Sequence, residues 1–257
     1  MAAWRLIVSL FGLVALVGCK TGTLPDPNDP AEAGILAPEV IRRQLKGASD
    51  SLLERVAKRQ ITDAEFHDLM AKRANELLND LPMDKIDADQ AWEYAEVLRT
   101  AKHWDQAEKM LKIAVDFAIK TKNEDRRIND TLRLAHAQAM QGKVEEGIKT
   151  AERVMDASPT GSAPILPAVL LEITPAAEGK GHDLELAKLL EDAIAKHMAT
   201  KVDLKTQGGT DFILARPHHV RNAWGKVVQL YARSGKEKEA TEALKRAEEM
   251  LDSMHRV

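Results

Sequence analysis

The chain reads as all-α, an array of antiparallel helical hairpins with about ten helices. Three observations carry that reading. Aromatic residues are 4% of the 257, while Ala, Leu, Glu and Lys dominate, which favours helices packed closely on small side chains over a β-rich core. Proline is absent from Met83 to Ser158 and from His218 to Val257, and glycine from Ala48 to Gln141, so long stretches lack both helix breakers. Within them apolar residues recur at three and four, as in Leu69, Leu77 and Leu78 or Leu111, Ala114, Val115 and Ala118, the period of an amphipathic helix.

Taken in order, residues 1–18 have the parts of a secretory signal: Arg5 as the positive charge, an uncharged run from Leu6 to Val17, and small Gly18 before Cys19. The run falls short of the roughly 20 apolar residues that a spanning helix needs. Its end, Leu16-Val17-Gly18-Cys19, resembles the lipobox of bacterial lipoproteins. That resemblance implies that Cys19 becomes the acylated N-terminus, carrying palmitate-type chains, and anchors the protein to a membrane. Cys19 is the only Cys, so no internal disulfide is available, and two or more acyl chains make a stable anchor where one is marginal. Lys20 stands where enteric lipoproteins kept in the inner membrane carry Asp, which favours the outer membrane, facing the periplasm. Residues 19–38, with Pro25, Pro27, Pro30 and Pro38 among Gly, Asp and Asn, are an extended tether.

Helices are expected in the body, 39–257, near 39–59, 62–79, 88–101, 103–121, 125–141, 143–157, 165–178, 183–200, 217–234 and 236–254. Thr62 and Glu65 have the spacing of a capping box, and Pro82 follows the helix they open. The segment 201–216, with Gly208-Gly209 and then Phe212-Ile213-Leu214, reads as an insertion whose apolar trio packs onto the array.

Three hairpins share a spacing. In the last, Trp224, Val228 and Tyr231 precede Gly235, and Ala240, Leu244 and Ala247 follow it; Ala135, Gly142, Gly147, Ala151, Val154 and Pro159 repeat the pattern, as do Ala95, Lys102, Ala107, Leu111 and Ala114, with Lys102 in place of the turn Gly. This resembles the tetratricopeptide repeat (TPR), a helix-turn-helix unit of about 34 residues, over 88–121, 128–161 and 221–254. Small residues let the paired helices approach, large ones fill the gap to the next hairpin, and the Gly ends the first helix in a left-handed conformation.

The chemistry-bearing signals are sparse. His218-His219 is the only close histidine pair, there is no H-E-x-x-H and no second Cys, so no metal site is expected. Gly-Lys at 142, 179 and 235 lacks the rest of a phosphate loop and reads as helix-ending turns. No nucleophile-elbow setting such as G-x-S-x-G occurs; neither an enzyme nor a cofactor is indicated. A formal net charge of −3 gives no footprint for nucleic acid.

By the resemblance, the first helices of the hairpins line a ligand groove. Alignment on the turns gives Trp92, Glu96 and Arg99 in the first copy, Asn129, Arg133 and His136 in the second, and Asn222, Lys226, Gln229 and Arg233 in the third as partner-binding candidates. Arg133, Lys226 and Arg233 would form a basic strip suited to an acidic segment. The family's carboxylate clamp of Lys and Asn is not reproduced. The function expected is a membrane-anchored envelope adaptor or scaffold that binds a protein or peptide segment. The alternative is a lipoprotein that binds a small periplasmic solute, with an enclosed pocket near 201–219; an enzyme without a recognisable motif comes third.

Overall fold

The computed structural model describes residues 38–78, 83–157 and 164–255; the expected signal, Cys19, the expected tether before Pro38, and Pro159 lie outside them. Among the described residues the body is ten helices without a strand. They are α1 (Pro38–Ala57), α2 (Asp63–Leu78), α3 (Ala91–Thr100), α4 (Trp104–Lys120), α5 (Glu124–Met140), α6 (Val144–Glu152), α7, α8 (Asp183–Ala199), α9 (Gln207–Arg233) and α10 (Glu237–His255). A 3₁₀ turn, Met83–Lys85, precedes α3, and α7 is built in three parts, Ile165–Ala168, a π-helical Val169–Ile173 and Thr174–Ala177. Each helix packs against the next in sequence, except that α6 and α7 each pack against α5 and α8. The body is the expected array of antiparallel hairpins.

The turns explain why the helices fold back so tightly. Arg59, Lys102, Lys122, Gly142 and Gly235 all have positive φ, between 56° and 80°. Each sits in a two-bond cap: Lys102 N–H reaches the Arg99 carbonyl at 3.0 Å while His103 N–H reaches Leu98 at 2.9 Å, and the equivalent pairs recur after Gly142 and Gly235. These bonds satisfy carbonyls that a helix end would otherwise leave unpaired. Gly235 and Gly142 therefore take the left-handed role expected of them, and Lys102 takes it too without being Gly.

Close approach between paired helices depends on small residues. A Cβ on Gly147 would stand 2.7 Å from the Ala135 carbonyl oxygen, and Ala135, Ala139 and Ala151 are fully buried. The larger core residues Leu132, Ile148, Leu166, Leu190, Val220 and Trp224 fill the space between hairpins from α5 to α10. At the start of α2 the capping box is formed: Thr62 N–H donates to Glu65 Oε2 at 2.7 Å, and Glu65 N–H to Thr62 Oγ1 at 3.2 Å.

Two segments differ from expectation. Helix α9 begins at Gln207, not at 217, because Thr206 Oγ1 accepts from Gly209 N–H at 3.1 Å and caps it there. Pro217 then sits inside the helix, forfeiting a single backbone bond. In α7, Pro175 has no N–H to give to Leu171, and the Thr174 N–H reaches back five residues to the Val169 carbonyl. Leu171, within the wider turn, is 62% exposed, and Glu172 follows it in the same π segment.

Candidate functional site

The first helices of three successive hairpins, α3, α5 and α7, bring most of the first- and second-copy candidates into one connected cluster. Glu96 and Arg99 lie one turn apart on α3 and pair at 2.8 Å. From α5, Arg133 Nε reaches the same Glu96 Oε1 at 3.0 Å. Arg99 also contacts His136 Nδ1 at 2.9 Å and pairs with Glu172 of α7, whose carboxylate is 3.4 Å from His136 Nδ1. The His136 ring meets Trp104 edge-on, centroids 5.3 Å apart.

Trp92 joins the cluster through a cation stack. The Arg126 guanidinium lies 3.7 Å from the centre of its ring and Arg42 of α1 lies 5.4 Å away. Arg126 in turn pairs with the buried Asp130 at 2.5 Å, and Arg133 is 3.5 Å from the same oxygen. A cavity of about 190 Å³ opens beside Trp92, lined by Asp89, Phe117, Asn123, Arg126 and Asp130. Asn129 is half-buried, one turn from Arg133 on α5.

Electrostatics follow the geometry. Burial alone would raise the Glu172 carboxyl, but the neighbouring His136 and the Arg99 guanidinium outweigh it and hold it at about 2. Burial would likewise lower Arg99, yet Glu96 and Glu172 raise it. Asp130 goes the other way: its burial exceeds what Arg126 and Arg133 return, and its carboxyl is raised.

The third-copy candidates are not part of this cluster. Lys226 pairs with Glu178, just after α7, at 2.8 Å, and Arg233 is 3.5 Å from Asp183 of α8. Asn222 meets His218 at 2.9 Å, and Gln229 is exposed. The expected basic strip is thereby corrected: Arg133, Lys226 and Arg233 each face a carboxylate, so these positions present paired charge, not free positive charge.

Glu172, Asp130 and Arg126 belong to the cluster and were not among the candidates. Glu172 had a signal, being the only charged residue between Asp156 and Glu178. Asp130 and Arg126 had the i,i+4 spacing of a helical ion pair. A second cavity, about 550 Å³, lies between α8 and α10 over Trp224, with Ile194, Met198, Arg246 and Met250 in its walls. Both cavities are away from 201–219. Among the described residues no group of three metal-type ligands converges, and no helix is long and apolar enough to cross a membrane.

No family model matches the chain, and no curated protein matches it. Among solved structures, a kinesin light chain protein of Podosopora anserina with nearly identical TPR-like repeats is 18% identical, with 86% of this chain and 100% of that one covered and a TM-score of 0.44. BtubC (BKLC) from P. vanneervenii is 17% identical, with 84% and 92% covered and a TM-score of 0.41. At these scores the likenesses bear on neither partner nor mechanism.

Proposed function

We propose that the chain is an envelope lipoprotein, anchored through acylated Cys19 in the outer membrane and facing the periplasm, that serves as a protein-binding adaptor. The observation that supports this reading is the meeting, on one side of α3, α5 and α7, of Trp92, Arg133, His136 and Glu172, side chains from three successive first helices. A surface assembled across hairpins in this way suits an extended protein segment better than a single small molecule. The half-exposed Trp92 beside its cavity supplies an aromatic anchor point of the kind that dominates protein interfaces.

Two experiments test the two halves separately. A photo-cross-linking residue at Trp92 should capture one defined partner in cells, while the same residue at Ile113, 39% exposed on a second helix, should not; equal capture at both positions would reject the surface. A Cys19→Ser variant should leave the membrane fraction, and a variant that stays there unprocessed like the parent would reject the anchor.

A further inference from the structure

At the junction of α8 and α9, basic groups gather without an acid to answer them. His197, in the last turn of α8, is 2% exposed, with Phe212 at 4.5 Å and His219 at 5.8 Å from its ring centre. Arg216 lies over Phe212 at 5.1 Å and donates one N–H to the Thr200 carbonyl at 2.8 Å. Three buried nitrogens here, His197 Nε2, Arg216 Nε and His219 Nδ1, have no hydrogen-bond partner among the described residues. All three come from one small cluster.

The charge pattern is equally unusual for this chain. Arg99, Arg126, Arg133, Lys226 and Arg246 all reach a carboxylate within 3.0 Å. Half-buried Arg216 forms no such pair among the described residues, and burial lowers it unopposed. The two acids between α8 and Arg216 in sequence are engaged locally: Asp203 Oδ1 accepts from the Lys205 backbone N–H at 2.9 Å, and Asp211 Oδ1 from the Gln207 side chain at 2.7 Å. Lys196 of α8 is turned to the Ala157 carbonyl at 3.4 Å, and His218 is bonded to Asn222. Exposed Lys201, Lys205 and Arg221 border the junction in sequence.

We propose that this junction is a binding site for a small oxyanion of the sulfate or phosphate class, held by Arg216 and the imidazoles of His197 and His219. An oxyanion supplies acceptors to the Arg216 Nε–H and to an N–H on each imidazole, and it supplies the negative charge that the half-buried guanidinium lacks. Entry is from the side of Arg216 and His219, which are half-buried where His197 is 2% exposed. Binding and imidazole protonation should favour each other, because each added proton gives the anion another cationic donor.

The test is histidine-ring NMR of the full-length protein with sulfate added and ionic strength held constant with chloride. The His197 and His219 resonances should shift saturably, roughly tenfold more tightly at about pH 5.5 than at about pH 8, while remote His67 stays fixed. Arg216→Gln should abolish the shift and Arg221→Gln should retain it. If Arg216→Gln fails to fold, Arg216→Lys, which keeps the charge but not the Nε donor, should weaken binding roughly tenfold. Vesicles of anionic phospholipid that produce the same shifts would identify a headgroup phosphate as the source; vesicles without effect, alongside saturable sulfate binding, would identify a free anion. No saturable shift, or one unchanged by the Arg216 variants, would mean that the junction holds an ordered water only and would overturn the proposal.

Discussion

Two clusters of ionisable groups on this array are built from similar side chains and differ in their partners. On α3, α5 and α7, Arg99, Arg126 and Arg133 each hold a carboxylate, even though Arg99 Nε itself is buried without a partner. At the α8–α9 junction, Arg216, His197 and His219 hold none among the described residues. The difference begins in the sequence: Glu96 with Arg99 and Asp130 with Arg133 are i,i+3 neighbours on their own helices, while no acid stands three or four residues from Arg216 or His219. A cluster with paired charges joins hairpins at any moderate pH. A cluster of bare bases stays closed only while its imidazoles are neutral.

The largest expected effect breaks the paired cluster. Arg99→Ala removes the cation that Glu96 and Glu172 share, leaving carboxylates part-buried beside His136. It should cost on the order of 3 kcal/mol, the lower end for breaking a buried pair because Glu172 is 43% exposed. Arg216→Ala, which removes a charge that had no carboxylate, should cost less than about 1 kcal/mol in the same urea unfolding experiment. Equal costs would mean that pairing does not distinguish the two regions.

Acid separates the regions by the pH at which each fails. Burial lowers His197 from its ordinary 6.5 to about 4, with Arg216 and His219 adding to the effect. Between those values the unfolded chain binds a proton that the folded chain refuses, so stability falls as pH drops through that window, by on the order of 3 kcal/mol for one such buried histidine. Glu172, held at about 2 against an ordinary 4.5, contributes stability that is present above 4.5 and lost as pH falls towards 2. The α8–α9 junction should therefore loosen first, and hydrogen exchange at 207–216 should accelerate between about pH 6 and about pH 4 while α3 and α5 stay protected. Exchange that accelerates in α3 and α5 before 207–216 would reverse the assignment.

Much of this architecture was legible in the sequence, and the gaps have physical causes. The hairpins followed from apolar period and breakers, which report directly on burial and backbone freedom. The start of α9 was not, because Pro217 reads as a boundary, whereas the cap at Thr206 and Gly209 carries the helix through it. Trp92, Glu96, Arg99, Arg133 and His136 sit at helical spacing on matched hairpins, and the structure brings them into one cluster. Their contact with Glu172 was not legible: it comes from a hairpin without the repeat pattern, within a π turn that single-residue propensities do not report. The expected basic strip failed for the same reason, since cations were read without the acids opposite them. Charge reversal at Arg133, Lys226 and Arg233 would place acid against acid, so it would perturb the fold as well as any partner.

The turns carry the comparison to smaller energies, because the one beside the paired cluster is Lys102 and the one at the end of α9 is Gly235. Gly235→Val puts a β-branched residue at φ 70° and should cost about 1–2 kcal/mol; an unchanged melting temperature would contradict the cap. The reverse change, Lys102→Gly at φ 63°, relieves a left-handed penalty of similar size but adds the backbone entropy that Gly loses on folding. It also deletes the exposed ion pair of Lys102 with Asp68, 2.8 Å, a solvent-screened contact that contributes little. The net gain should be about 0.5 kcal/mol or less. Lys122 has φ 56° in the same two-bond cap and forms no ion pair among the described residues, so Lys122→Gly should gain more, up to about 1 kcal/mol. Measured by urea unfolding, a larger gain at Lys102 than at Lys122 would mean that the Asp68 contact opposes folding, and that pairing, which distinguishes the two clusters inside the array, carries no weight at its exposed turns.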